Sequence, residues 1–270
     1  MIYVISAYRF NHLSRNVPID ARLLNLGDRA TFYFVDKEGA PSDFPGQTFS
    51  EARHFPEMSD LGKRHLAEWT FLLSEFYRPF ATYPFFMIST RFYEKNACLR
   101  GDLSNHFDDM FDFLNQYGFG YLPSYNRTDN FISYKDYMRT GVLGMRQDGI
   151  EFINNLYDVD FMNECDLFSD FFCNYIGFRS REDLIQYVSF YLPFINSFVG
   201  QNFELVRSYD DVVNKTGGFR EEKPLTLLLE MISHLFFYKE NRKFYGLHYN
   251  GHIEVDERRA QVRLLKPLAV

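Results

Sequence analysis

The chain has little cysteine, a single tryptophan, no surplus of positive charge and no long apolar run. Each shortage excludes something. The three cysteines, Cys98, Cys165 and Cys173, have no metal-ligand spacing and cannot all pair. That argues against a disulfide scaffold and suits a reducing, cytoplasmic setting. Lys and Arg number 29 against 36 Asp and Glu, for a formal net charge of -7. The whole-chain basic field of a nucleic-acid binder is therefore missing. Basic residues gather only locally, at Arg9, Arg15, Arg22 and Arg29 near the start and at Arg258, Arg259, Arg263 and Lys266 near the end. No apolar run approaches the roughly 20 residues of a membrane-spanning helix, so no transmembrane segment is expected. Met1 leads straight into a strand-like run without a basic n-region, so no signal peptide is expected either. Asn126-Arg-Thr128 and Asn214-Lys-Thr216 then read as chance sequon matches. Walker, Gly-x-Gly-x-x-Gly and Gly-x-Ser-x-Gly patterns are absent, which removes the best-known phosphate loops and the serine nucleophile elbow.

Aromatic residues are abundant. There are 31 Phe and 19 Tyr, and hydrophobic residues make up 46% of the chain, enough for a sizeable core. With no repeat, low-complexity tract or linker, residues 1–270 are expected to form one domain.

The organising stretch is Tyr83-Pro-Phe-Phe-Met-Ile-Ser-Thr-Arg-Phe-Tyr-Glu-Lys-Asn96. An apolar run, Phe85 to Ile88, turns abruptly polar, as a buried strand does where it emerges at the edge of a sheet. Ligands of open α/β sheets bind where strands end. Ser89, Thr90, Arg91, Tyr93 and Asn96 therefore stand where a crevice is expected. Ile2 to Ile5 and Thr31 to Val35 are two further strands, and the Gly- and Pro-bearing stretch from Asp36 to Gln47 is a loop. Leu66, Trp69, Leu73 and Phe76 share a helical face, so 63–77 is a helix, stopped by Pro79 and Pro84. A helix over 103–117 ends at Gly118, and Phe119 to Leu122 is a short strand. Ile150 to Leu156 is a short helix, and 171–178 is a strand. Ser180-Arg-Glu-Asp183 carries a capping-box pattern opening a helix that Pro193 should kink or break. The apolar helix over 223–238 is expected to be buried on most sides. Phe244 to Tyr249, Asn250-Gly251 and Ile253 to Val255 form a hairpin signal. Strands alternating with helices point to an α/β fold.

Four features can carry chemistry. Asp158-Val-Asp160, the single Asp-x-Asp in the sequence, suits a hard divalent cation held against a diphosphate; its competing account is a solvated loop. Asp108, Asp109 and Asp112 lie opposite an apolar helical face and read as solvated. Arg91 follows a buried strand and suits bidentate donation to phosphate, or an ion pair with an acid such as Glu94. Glu230 and His234 lie one turn apart on the most apolar helix, away from its main Leu stripe. A carboxylate there needs a partner or a task.

Taken in order, Ile2-Tyr-Val-Ile-Ser6, the helix Glu68 to Tyr77 followed by Phe86-Met-Ile-Ser-Thr-Arg-Phe-Tyr93, Asn174-Tyr-Ile-Gly-Phe-Arg-Ser-Arg-Glu-Asp183, and Leu225 to Tyr238 resemble a family of small GT-A-like glycosyltransferases of bacterial capsule and O-antigen synthesis. The second segment is similar to that family's strand ending in a His-Tyr-Arg-Arg-Tyr-Phe-like motif. Arg91 and its aromatic neighbours are kept, whereas the His is replaced. The resemblance implies a single GT-A-like domain: a central, mostly parallel sheet flanked by helices on both faces, with a C-terminal helix and hairpin. It implies a nucleotide-sugar donor and a hydroxyl acceptor, a glycan first. Ser6, Tyr8, Arg9, Arg91 and Asn174 would bind the donor. Asp158 and Asp160 would hold Mn or Mg if a metal is used, and Glu230 would orient or deprotonate the acceptor with His234 supporting it. A phage-encoded relative glycosylating hydroxymethylated DNA bases is the alternative, against which the acidic charge counts. The rival of another class is a non-catalytic carbohydrate-binding protein whose aromatic cleft stacks sugars.

Overall fold

The structure is a computed structural model. It describes residues 1–6, 19–35, 44–50, 69–90, 92, 104–123, 143–160, 172–200, 228–229, 232–233, 235–236, 254–256 and 261–263. The strands are β1 (Ile2–Ser6), β2 (Ala30–Phe34), β3 (Gln47–Ser50), β4 (Phe85–Ser89), β5 (Phe119–Pro123), β6 (Phe172–Phe178), β7 (Glu254–Asp256) and β8 (Gln261–Arg263). The helices are α1 (Ala21–Leu24), α2 (Trp69–Tyr77), α3 (Ser104–Tyr117), α4 (Leu143–Tyr157) and α5 (Arg181–Gly200). Residues 228–229, 232–233 and 235–236 are also helical.

Six strands form one sheet in the order β3-β2-β1-β4-β6-β5. The pairs β1–β2, β1–β4 and β2–β3 are parallel; β4–β6 and β5–β6 are antiparallel. The fold is thus α/β with a mixed sheet that is mostly parallel, as expected: β6 alone runs against the other five strands. Strand β4 is buried along its whole length, with Phe85, Phe86, Met87 and Ile88 each at 0% exposure. A continuous apolar strand of this kind needs cover on both faces. On one face, Phe71 of α2 meets Tyr3, Tyr33 and Phe85, and Tyr187 of α5 meets Phe178. On the other, Phe111 of α3 meets Phe86. Full burial of each large apolar side chain stabilises the fold by about 1.5–3 kcal/mol, so β4 and its cover are the centre of the core.

Two helix ends follow their sequence signals closely. Gly118 takes φ 87 and donates its N–H to Leu114 C=O at 2.7 Å, the left-handed stop of α3. At the start of α5, Asp183 N–H donates to Ser180 Oγ at 3.3 Å and Ser180 N–H donates back to Asp183 Oδ2 at 3.2 Å. That reciprocal pair is the expected capping box, closed by Asp in place of Glu.

Elsewhere the structure departs from expectation. Strand β3, Gln47–Ser50, follows directly on a stretch read only as loop, because four residues show too little alternation to stand out. Helix α4 begins at Leu143, seven residues before the expected start. Helix α5 runs unbroken across Pro193, which is exposed. In the turn before it, Tyr157 Oη donates to Phe190 C=O at 2.8 Å and the two rings stack, so a neighbouring helix holds this part of α5. Val255 is in a hairpin, but its strand β7 pairs forward with β8 in a separate two-stranded sheet. The proposed first arm at Phe244 to Tyr249 lies outside the described residues.

Gly177 shows how tightly the sheet is filled. It stands opposite Phe86 in the β4–β6 ladder, and a Cβ there would come within 2.6 Å of the Phe86 ring. Glycine in a strand interior marks such close approach. Gly177→Ala is expected to destabilise the protein by about 1–3 kcal/mol through overpacking, read as a lower urea midpoint. An unchanged midpoint would show that the Phe86 ring can move aside.

Candidate functional site

Strands β1 and β4 lie side by side and run parallel, with Ile5 paired to Ser89. The chain places β2 and β3 on one side of β1, then returns to place β4 on the other. Connections leaving such a pair diverge to opposite sides, and the gap outside the carboxyl ends is where open α/β sheets bind ligands. Thr90 N–H donates to Ile5 C=O at 3.1 Å, so the two strands are held together to their last residues. Ser89 is buried and Thr90 is partly exposed, so the surface of the sheet end is reached at the first residue after β4.

Ser6 is the last residue of β1 and pairs with Phe34 of β2 at this same end. Strand β6 runs the opposite way, and its pairing with β4 reaches Ile176 opposite Met87. Asn174 lies two residues before Ile176 on β6 and therefore also belongs to the end where β1 and β4 finish. The backbone thus gathers Ser6, Ser89, Thr90 and Asn174 at one end of three neighbouring strands. Of the other expected site residues, Tyr8, Arg9, Arg91, Glu230 and His234 lie outside the described residues.

Asp158 and Asp160 occupy the turn that ends α4, and both are exposed. Asp158 takes φ 51, and Val159 N–H donates to Asn154 C=O at 3.1 Å. That bond closes the helix end in the Schellman manner, with Asp158 at the left-handed position normally given to Gly or Asn. Asp158 thus has a backbone role independent of any metal. Among the described residues, no group of three or more His, Cys, Asp or Glu side chains is placed to hold a metal ion.

The apolar helix carrying the proposed catalytic pair is buried at each described position: Leu228, Leu229, Ile232, Ser233, Leu235 and Phe236. Its polar contact with the core was not foreseen. Ser233 Oγ donates to Leu229 C=O at 2.8 Å and lies 2.6 Å from Tyr187 Oη. The serine has one proton, committed to Leu229, so Tyr187 is the donor in the second bond.

A second cluster also escaped the sequence reading. Glu75 of α2 is fully buried. Its Oε2 accepts from Phe80 N–H at 2.6 Å and Ala81 N–H at 2.8 Å, and its Oε1 accepts from Tyr83 Oη at 2.9 Å. Tyr3 Oη accepts from Thr82 N–H at 3.0 Å. Burial pushes the Tyr83 phenol well above its ordinary pKa and the neighbouring Glu75 charge adds to this, so Tyr83 remains a proton donor. The cluster sits where β4 begins, at the opposite end of the sheet from the candidate crevice, and Phe86 N–H bonds Met1 C=O beside it. It ties down the turn between α2 and β4. One signal could have found it: the rule that an acid on an apolar helix needs a partner, applied above to Glu230, fits Glu75 equally.

Comparison with known proteins gives no matching family model, no matching curated protein and no matching solved structure. Among the described residues, no helix is long and apolar enough to cross a membrane.

Proposed function

We propose that the protein is a GT-A-like glycosyltransferase that takes its sugar from a nucleoside diphosphate donor bound at the carboxyl ends of β1 and β4. One observation carries this reading. The strand order reverses between β1 and β4, and the residues named from sequence for the donor, Ser6 and Asn174, fall at that same end of the sheet. In the sequence, Tyr8 and Arg9 follow β1 by two and three residues, and Arg91 follows β4 by two. Arg91 would supply the fork that a diphosphate needs. The acceptor is a hydroxyl group, on a glycan in the first instance. Asp158 and Asp160 would contribute a cation site only together with ligands from the donor, since two carboxylates fill a small part of an oxygen shell.

Melting in the presence of UDP-, GDP-, CMP- and dTDP-sugars, with and without manganese, tests this. A ligand bound by the native state alone raises the melting temperature by mass action. One nucleotide class is expected to do so at millimolar concentration. Manganese should enlarge the shift if the Asp pair takes part and leave it unchanged otherwise. No shift with any nucleotide would favour the carbohydrate-binding alternative, which free oligosaccharides then test in the same assay.

A further inference from the structure

Helices α2 and α5 meet through a cluster of aromatic rings in which two polar atoms stand out. Trp69 and Tyr191 are each 1% exposed. Their rings cross edge to face with centroids 5.2 Å apart, and Tyr187 stacks on Trp69 at 5.9 Å. Trp69 Nε1 and Tyr191 Oη are both buried with no hydrogen-bond partner among the described residues. Burying one such donor without an acceptor costs about 1–3 kcal/mol, and native interiors rarely leave such donors unpaired.

We propose that Trp69 Nε1–H and Tyr191 Oη–H donate to one ordered water molecule held between α2 and α5. Water fits this place for two reasons. The two donors come from rings in contact, so a single oxygen with two lone pairs is the smallest acceptor able to serve both. A buried water makes about three hydrogen bonds, so it also needs an acceptor for a proton of its own. Tyr187, whose proton is committed to Ser233, can meet a further group only as an acceptor, and its ring touches both Trp69 and Tyr191. The site joins α2 and α5 to the buried helix of Leu228 and Phe236 through polar contacts in an otherwise apolar seam.

The test uses the fact that Trp69 is the single tryptophan in the chain, so its indole N–H is one unambiguous proton signal. In the wild-type protein that proton is expected to show a magnetisation-transfer cross-peak to long-lived water. Tyr191→Phe removes one oxygen without changing the ring. If Tyr191 donates to bound water, the substitution strands the water and lowers the melting temperature by about 2–6 °C. If the hydroxyl is truly unpartnered, its removal relieves a desolvation cost and the melting temperature stays level or rises. A level or raised melting temperature overturns the proposal, as does an indole proton without a water cross-peak.

Discussion

Glu75→Ala is expected to cost about 3–5 kcal/mol, because several hydrogen bonds to one charged group, worth about 1.5–3 kcal/mol apiece, are lost together. The carboxylate is fully buried and accepts from three donors: Phe80 N–H, Ala81 N–H and Tyr83 Oη. Alanine has no acceptor, so three partly buried donors would lose their partner at once, each at up to about 1–3 kcal/mol before relaxation and solvation by water. Those donors belong to the turn entering β4, so the loss falls on the central strand. Against a total stability of about 5–15 kcal/mol, this variant loses a large part of its folded population. Glu75→Gln behaves differently. Its amide oxygen can serve the two backbone N–H groups while its NH2 donates to the Tyr83 oxygen, whose hydroxyl can rotate to accept. What goes is the charge assistance, so the expected loss is about 1–2 kcal/mol. Urea denaturation of both variants checks this. Equal losses would show that the charge itself, and not the number of acceptors, holds the turn.

That prediction bears on what was legible in the sequence. The strands of the sheet centre were readable because they are buried on both faces: runs such as Ile2 to Ile5 and Phe85 to Ile88 have no polar interruption. Helix ends at Gly118 and Ser180 were readable because capping is local chemistry, settled within four residues. Strand β3 was not, since a four-residue strand following a Pro- and Gly-bearing stretch takes its pairing from β2 and not from its own pattern. The direction of β6 was not either. Parallel and antiparallel strands carry similar side chains at this degree of burial, and topology decides between them. The Glu75 cluster depends on the turn 78–84 folding back onto α2, a tertiary event that side-chain spacing does not encode. The same holds for Asp158, whose left-handed backbone follows from where α4 stops. On the candidate site, the sequence placed Ser6 and the Ser89–Arg91 stretch at strand ends. The structure adds that β1 and β4 are neighbours, which brings two separate strand ends together at one end of the sheet.

Glu230→Gln is expected to fold normally, to bind the donor, and to lose turnover by two or more orders of magnitude, about what removing a general base costs. The described positions of its helix motivate this. Leu228, Leu229, Ile232, Ser233, Leu235 and Phe236, which flank Glu230 in the sequence, are all buried, so these helical positions are packed over a broad arc. Tyr187 and Ser233 fix the rotation of that helix against α5 through a 2.6 Å hydrogen bond. Proton abstraction from an acceptor hydroxyl requires a base held in one orientation, and a packed helix is an element able to hold one. Gln preserves shape and hydrogen bonding but cannot take a proton, so it separates chemistry from packing. If Glu230 is instead a structural partner of His234, the same substitution lowers the melting temperature and leaves turnover per folded molecule little changed. Donor affinity, turnover and melting measured together on this variant distinguish the two. Normal turnover with normal donor binding would remove Glu230 from the mechanism while leaving the β1–β4 donor site standing. Loss of donor binding would show instead that Glu230 contacts the nucleotide-sugar itself.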